Sequence, residues 1–163
     1  MEFPMATGLQ DRPDVLVFSE IGIIEHLARH AVIAHLPPGA TYTQFELLQC
    51  FTRLGDGQTP AELADLMMMS KPAITNALQK MQDLGFVIVL ADVKDRRKKR
   101  VRLTKAGTDA YLQVLKDLQW KMDALREGFT DNEFCQALPF LRSLRTFLED
   151  VSEPGEPAAA SRL

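Results

Sequence analysis

Three tetrads of the form Thr-x-x-Glu, at 43–46, 59–62 and 130–133, each stand at the head of an apolar run with helical period. In such a capping box the hydroxyl and the carboxylate each accept a bond from a backbone N–H that the first helical turn leaves orphaned. Three of them in 163 residues fix helix starts along much of the chain and leave little room for strand. Pro60 follows Thr59 directly, at the first helical position, where a missing N–H costs nothing. Ser70 is a good cap for a further helix, with Pro72 tolerated in its first turn. Gly55 and Gly85 follow apolar runs at positions suited to left-handed C-caps. The spacing predicts helices near 44–54, 60–67 and 71–84.

Ahead of these, Ile21, Ile24, Ala28, Ala31 and Val32 recur at three- and four-residue steps and predict a first helix of about 20 residues, ending before Pro37-Pro38-Gly39. Downstream, Leu112, Leu115, Leu118 and Met122 stripe a long helix from about Lys105 to Glu127, stopped by Gly128. Phe134, Leu138, Leu141, Leu144 and Leu148 stripe a last one from about Asp131 to Val151, which Pro139 should kink or split. Between the two groups, Phe86 to Leu90 is a β-branched run too short for a helix, and Arg100 to Thr104 alternates polar and apolar. Together they read as a hairpin with a basic loop. Residues 1–13 read as a loose arm and 152–163 as a disordered tail.

Charge is distributed unevenly. The chain carries −3, yet Lys94, Arg96, Arg97, Lys98, Lys99, Arg100, Arg102 and Lys105 face only Asp95 between 94 and 105, so +7 sits there and −10 elsewhere. That asymmetry points to a polyanion-binding element on an acidic body. With 46% apolar and 25% charged residues the composition is that of a globular protein, which excludes wholesale disorder and a disulfide-stapled scaffold. Val15 to Leu36 is broken by Glu20, Glu25, His26, Arg29 and His30, so no membrane span is expected. With no basic, apolar N-terminal leader and with Cys50 and Cys135 both expected as buried free thiols, the expected location is cytoplasmic. No Gly-rich phosphate loop, H-E-x-x-H or G-x-S-x-G is present, so no enzyme is expected.

A short helix, a turn, a second helix and a ribbon with a basic tip make a winged helix-turn-helix: the second helix fits a major groove while the cationic loop meets phosphates or the minor groove. Here that helix begins Ser70-Lys71-Pro72-Ala73-Ile74-Thr75-Asn76, with Ile74, Leu78 and Met81 expected inward. Asp95-x-Arg97, followed by Leu103-Thr104-x-x-Gly107, resembles the signature of the multiple-antibiotic-resistance-regulator (MarR) family of transcription factors. The resemblance extends back through Thr59-Pro60-x-Glu62-Leu63-Ala64, Ser70-Lys71-Pro72-x-Ile74-Thr75 and Leu84-Gly85-Phe86-Val87.

The resemblance implies a mainly α fold: one domain, 14–151, with a winged helix-turn-helix at about 43–104 and dimerisation helices at about 14–36 and 105–151 that interdigitate in a homodimer. It implies that double-stranded DNA is contacted by Ser70, Lys71, Pro72, Thr75, Asn76 and Lys80 from the recognition helix and by Arg96, Arg97, Lys98 and Lys99 from the wing. Arg97 is then the minor-groove arginine and Asp95 the carboxylate that orders the wing. Three positions depart from the family pattern: Asn76 where arginine is frequent, Val93 for a proline before the wing tip, and Met68 for a glycine in the helix–helix turn, whose backbone must then differ or be strained.

The function implied is a repressor that binds an inverted-repeat operator as a homodimer and is released by a small effector, phenolic or another apolar anion. A winged-helix module that docks proteins without sequence-specific DNA binding is the alternative. No cofactor and no metal are expected: His26 and His30 stand one helical turn apart, but no third ligand with suitable spacing is visible. Met67, Met68 and Met69 read as adaptable packing.

Overall fold

The computed structural model describes Gly8 and residues 12–151. The expected arm, apart from Gly8, Arg12 and Pro13, and the whole expected tail, 152–163, lie outside the described residues. The order of elements is α1 (Pro13–Ile33), α2 (Tyr42–Leu54), α3 (Pro60–Leu66), α4 (Lys71–Asp83), β1 (Val87–Ala91), β2 (Lys99–Leu103), α5 (Lys105–Asp117), α6 (Gln119–Gly128) and α7 (Asp131–Asp150). The chain divides into two compact units, Met1–Leu118 and Gln119–Leu163.

Helix starts follow the capping logic with one displacement. Thr59 with Glu62 and Thr130 with Glu133 form reciprocal capping boxes at α3 and α7. At α2 the box is Thr41 with Gln44, not Thr43 with Glu46. Thr41 has the extended backbone a cap requires, and a glutamine carboxamide accepts its N–H as well as a carboxylate does. Ser70 caps α4 by accepting the Ala73 N–H, and Thr104 caps α5 by accepting that of Gly107.

The core of the first unit lies among α2, α3, α4, the hairpin and α5. Leu47, Leu63, Ile74, Met81, Val87, Val101 and Val114 are completely or almost completely enclosed there, and Phe45 stacks on Tyr111 at 5.4 Å between ring centres. Ile74, Leu78 and Met81 are the buried stripe of α4, as their spacing predicts. The buried stripe of α5 is Gly107, Tyr111 and Val114, continued by its C-cap Leu118, while Leu112 and Leu115 of α5 and Met122 of α6 are exposed. The predicted long helix is divided at Leu118, the C-cap of α5, whose side chain stays in this core. No residue of α6 or α7 is buried, and α7 passes through Pro139 without interruption. Cys135 is therefore exposed, contrary to expectation, whereas Cys50 is buried and burial pushes its thiol pKa up.

β1 and β2 are antiparallel, with Val89 opposite Val101 and Leu90 opposite Arg100. On its other edge β2 takes up the α2–α3 loop, where Gly57 N–H donates to Val101 O at 2.7 Å and Val101 N–H to Gln58 O at 2.9 Å. The Asp56 carboxylate continues this edge by accepting the Leu103 N–H at 2.7 Å. The wing is thus bonded to the loop that leads into the helix-turn-helix. No helix among the described residues is long and apolar enough to cross a membrane.

Candidate nucleic-acid interface

Two elements carry the site: α4 and the wing. On α4, burial of Ile74, Leu78 and Met81 turns the opposite face outward, so Lys71, Pro72, Thr75, Asn76 and Lys80 are exposed together with the cap Ser70. Thr75 donates its hydroxyl to Lys71 O, which keeps its oxygen lone pairs outward. Gln79 shares this exposed face, three residues beyond Asn76, and donates its amide to Asp83 at 3.1 Å. Sequence reasoning missed it, although the 72–75–76–79 spacing of a helix face was there to find it.

The turn before α4 bears strain. Met68 has φ 49° and is the one non-glycine with positive φ among the described residues. Its side chain is 87% exposed, so no burial repays the left-handed conformation, while Met67 and Met69 on either side pack against the core. The glycine-like turn geometry is adopted despite the methionine.

In the wing, the eight cations of 94–105 separate into two sets. Arg100 pairs with Asp92, Arg102 with Asp56 at 2.9 Å, and Lys105 with Asp109. Lys94, Arg96, Arg97, Lys98 and Lys99 are exposed and pair with no acid among the described residues. Four of these five are the predicted wing contacts.

The tip is shaped by two aspartates. Asp95 accepts the Arg97 N–H with its carboxylate at 3.1 Å and the Lys98 N–H with its carbonyl at 2.8 Å. Asp92, which sequence reasoning passed over, does more. One carboxylate oxygen accepts the N–H groups of Lys94 (2.7 Å) and Asp95 (3.1 Å), and the other accepts Nε of Arg100. Those partners, Arg100 first, hold its pKa down to about 2. Asp92 also closes the ladder, donating its own N–H to Lys98 O at 2.8 Å. Val93 is 99% exposed beside it, so the tip is ordered by carboxylates rather than by a proline.

Arg100 reaches past Asp92. Its Nη1 donates to Gly57 O at 3.0 Å and approaches the Glu62 carboxylate at 3.4 Å. Glu62 is at the same time the reciprocal half of the α3 capping box, and the Thr59 N–H it accepts is the main reason its pKa is lowered. Gly57 has φ 102°, a conformation that strains any residue with a side chain, while an added Cβ would stand 3.1 Å from Arg102 Nη1, a contact that a small shift of the guanidinium relieves.

At the far end of the wing, Thr104 directs its hydroxyl to Gly85 O and Phe86 O, at 2.7 and 3.0 Å, and its N–H to Phe86 O. A Cβ at Gly107 would lie 2.3 Å from Phe86 O, so the Leu103-Thr104-x-x-Gly107 pattern has a steric basis: only glycine lets α5 approach β1 this closely. His26 and His30 are exposed on α1, and no group of three metal-ligating side chains occurs among the described residues.

A sequence model of the MarR family matches residues 40–99, from the start of α2 to the end of the wing tip. The transcriptional activatory protein BadR of Rhodopseudomonas palustris is 32% identical over 75 residues, a match that spans 45% of this chain and 43% of BadR. Among solved structures, a MarR transcriptional regulator from Methanosarcina mazei Go1 is 25% identical, covering 82% of this chain and 98% of its own, with a TM-score of 0.69. A mutant of MarR from E. coli complexed with operator DNA shares the fold at TM-score 0.68 and 23% identity, over 84% of this chain and 98% of that one. The matched segment contains α4 and the wing tip, and the likeness to the solved regulators extends over more than four fifths of the chain. Residues 40–99 thus carry the sequence pattern of the MarR family, on a winged helix-turn-helix fold that this chain shares with solved MarR regulators.

Proposed function

We propose that the protein is a DNA-binding transcriptional regulator and not an enzyme, acting as a homodimer. The observation that carries this reading is the pairing of an exposed polar face on α4 with five cations at the wing tip that form no ion pair among the described residues, on a wing bonded to the 55–58 loop that leads into α3. Phosphates attract such a tip without regard to sequence, while side chains at the start of a helix in the major groove read base edges.

In this reading Ser70, Lys71 and Lys80 meet the backbone, Pro72, Thr75 and Asn76 sit at the groove floor, and Gln79 joins them. Arg97 enters the minor groove, Arg96, Lys98 and Lys99 meet phosphates, and Asp95 orders the tip around Arg97. An asparagine amide favours adenine, where an arginine would favour guanine. The MarR-family complex with operator DNA supports the choice of nucleic acid over a protein partner.

Homodimerisation rests on apolar faces left open in each unit. Leu16, Phe18, Ile23, Ile24 and Leu27 are exposed on α1, and Phe134, Leu138, Phe140, Leu141 and Phe147 on α7. Faces of this size on helices call for a second subunit. A two-fold dimer reads an inverted repeat with half-site centres about 10 bp apart. The regulator is proposed as a cytoplasmic repressor released by a small phenolic or other apolar anion.

The test is enrichment of duplexes from a random-sequence pool by the purified protein, followed by titration across salt concentrations. An enriched inverted repeat, bound with an affinity that falls steeply with salt, supports the reading. Absence of any salt-sensitive binding overturns it in favour of a protein-docking module. Sedimentation at micromolar concentration decides the dimer.

A further inference from the structure

Asp92 is an acid two residues ahead of the most basic segment of the chain, 94–105, where its charge opposes any polyanion. Its contribution must therefore be geometric. The Asp92 side chain is only 13% exposed and both oxygens are engaged: one gathers the N–H groups that turn the tip, the other holds Arg100. Arg100 in turn spans to Gly57 O on the α2–α3 loop and to Glu62 in the first turn of α3. A guanidinium does this because its donors are fixed in one plane and can serve two acceptors at once, which a lysine ammonium on a flexible stem does not reproduce. The bonds form a continuous brace from the wing tip to the first helix of the helix-turn-helix, linking residues 43 and 38 positions apart in sequence.

We propose that Asp92 and Arg100 are positioning residues for operator readout: they contact no DNA themselves and hold the tip cations at a fixed place relative to the helix-turn-helix. The proposal rests on the DNA-binding reading above. Phosphate contacts tolerate small shifts of a mobile cation, but base and groove-width readout require the wing and α4 to arrive in register. Loss of the brace thus costs specific binding and spares non-specific binding. Electrostatics alone gives the opposite sign, since removal of an acid beside DNA strengthens binding to every sequence.

The experiment uses a duplex enriched from a random pool by the full-length wild-type protein, and a scrambled duplex of equal composition. Asp92→Asn keeps an oxygen for the tip N–H groups but sets an amide donor or a weaker acceptor against Arg100. Its affinity for the enriched duplex is expected to fall by about tenfold, the size of one lost base-pair readout, with the scrambled duplex bound as well as or better than by wild type. Hydrogen exchange at the Lys94, Asp95 and Lys98 amides is expected to quicken.

Arg100→Lys conserves charge, so its salt slope stays at the wild-type value while specificity falls in the same way. That variant decides the matter if Asp92→Asn does not fold, as judged by circular dichroism. Equal tightening on both duplexes by Asp92→Asn, or wild-type specificity in Arg100→Lys, overturns the brace. A wild-type protein that shows no salt-sensitive binding to any duplex overturns the DNA-binding reading and this proposal with it. One that binds duplexes without enriching a sequence overturns the operator readout on which the brace depends, and a specific wild type with indifferent variants overturns the brace alone.

Discussion

Gly107→Ala adds one methyl group at the point where α5 meets the hairpin, and its consequence follows from three distances. The new carbon would stand 2.3 Å from Phe86 O, 2.8 Å from Leu103 Cδ1 and 3.1 Å from Phe86 C. Carbon atoms sit comfortably at about 3.5–4.0 Å from their neighbours, so the start of α5 must retreat by about 1 Å or the Phe86 peptide must rotate. Leu103 can turn its methyl aside, but a backbone carbonyl in a strand junction has no such freedom. Phe86 O also accepts the Thr104 N–H and hydroxyl, both at 3.0 Å, so the retreat lengthens the bonds that cap α5 and close the wing.

Overpacking of this kind costs about 1–3 kcal/mol, and each weakened hydrogen bond adds about 1 kcal/mol. Alanine returns up to about 1 kcal/mol through its helix propensity. The net expectation is a loss of about 2–3 kcal/mol. Urea unfolding followed by circular dichroism, at one fixed protein concentration, should show a lower midpoint with an unchanged slope. Gly128→Ala is the comparison, because nothing lies within 4 Å of the added carbon there. It should change stability by less than about 0.5 kcal/mol or raise it slightly. A Gly107→Ala protein within about 0.5 kcal/mol of wild type would falsify the close approach of α5 to Phe86.

At the helix–helix turn, Met68→Gly should raise the melting temperature, because relief of about 1–2 kcal/mol of left-handed strain exceeds the roughly 0.4–1 kcal/mol of extra chain entropy; Met68→Val should lower it, and the reverse order would contradict the positive φ. The depressed pKa of Asp92 means that its contribution to wing order is complete above the ordinary carboxylate range and fades as pH falls from about 4 toward about 2. Amide exchange at Lys94 and Asp95 across that interval measures it, and a flat profile would show that Arg100 does not hold the carboxylate. On DNA, Arg97→Lys should lose affinity for the enriched duplex at an unchanged salt slope. Lys98→Ala/Lys99→Ala should instead weaken all duplexes and flatten the slope by up to about 2 per subunit.

Much of this architecture is legible because local rules and burial agree. The capping residues mark helix starts to within two positions, and the Ile74–Leu78–Met81 spacing identifies the buried side of α4 and hence its free side. What periodicity cannot do is choose between two apolar stripes on one helix. Leu112 and Leu115 are spaced as well as Tyr111, Val114 and Leu118, yet only the second set meets the core of its own unit. Gln44 deceived the pattern because its carboxamide performs the task sought in a glutamate at 46. The division of the wing's charge was equally invisible: Arg100 and Lys99 are neighbours and both cationic. Strand register places Arg100 across from Leu90 and within reach of Asp92 and Gly57, and leaves Lys99 free.

That division bears on how a chain of net charge −3 can present a cationic tip. Had all eight cations been free, the wing would repel itself and lose definition as it gained charge. Instead the arginines on β2, held by Asp92 and Asp56, spend their planar donors on the loop that precedes α3. The lysines and arginines of the tip keep theirs. A guanidinium already matched to a carboxylate brings little further counterion release, so the strength of any polyanion attraction scales with the free set and not with the +7 read from sequence. Attraction and alignment consequently reside in different side chains, separated along the strand by a single residue step between Lys99 and Arg100. Either property can change without the other: the free cations set the attraction for a polyanion, and the half-buried Asp92–Arg100 pair sets the alignment of the wing.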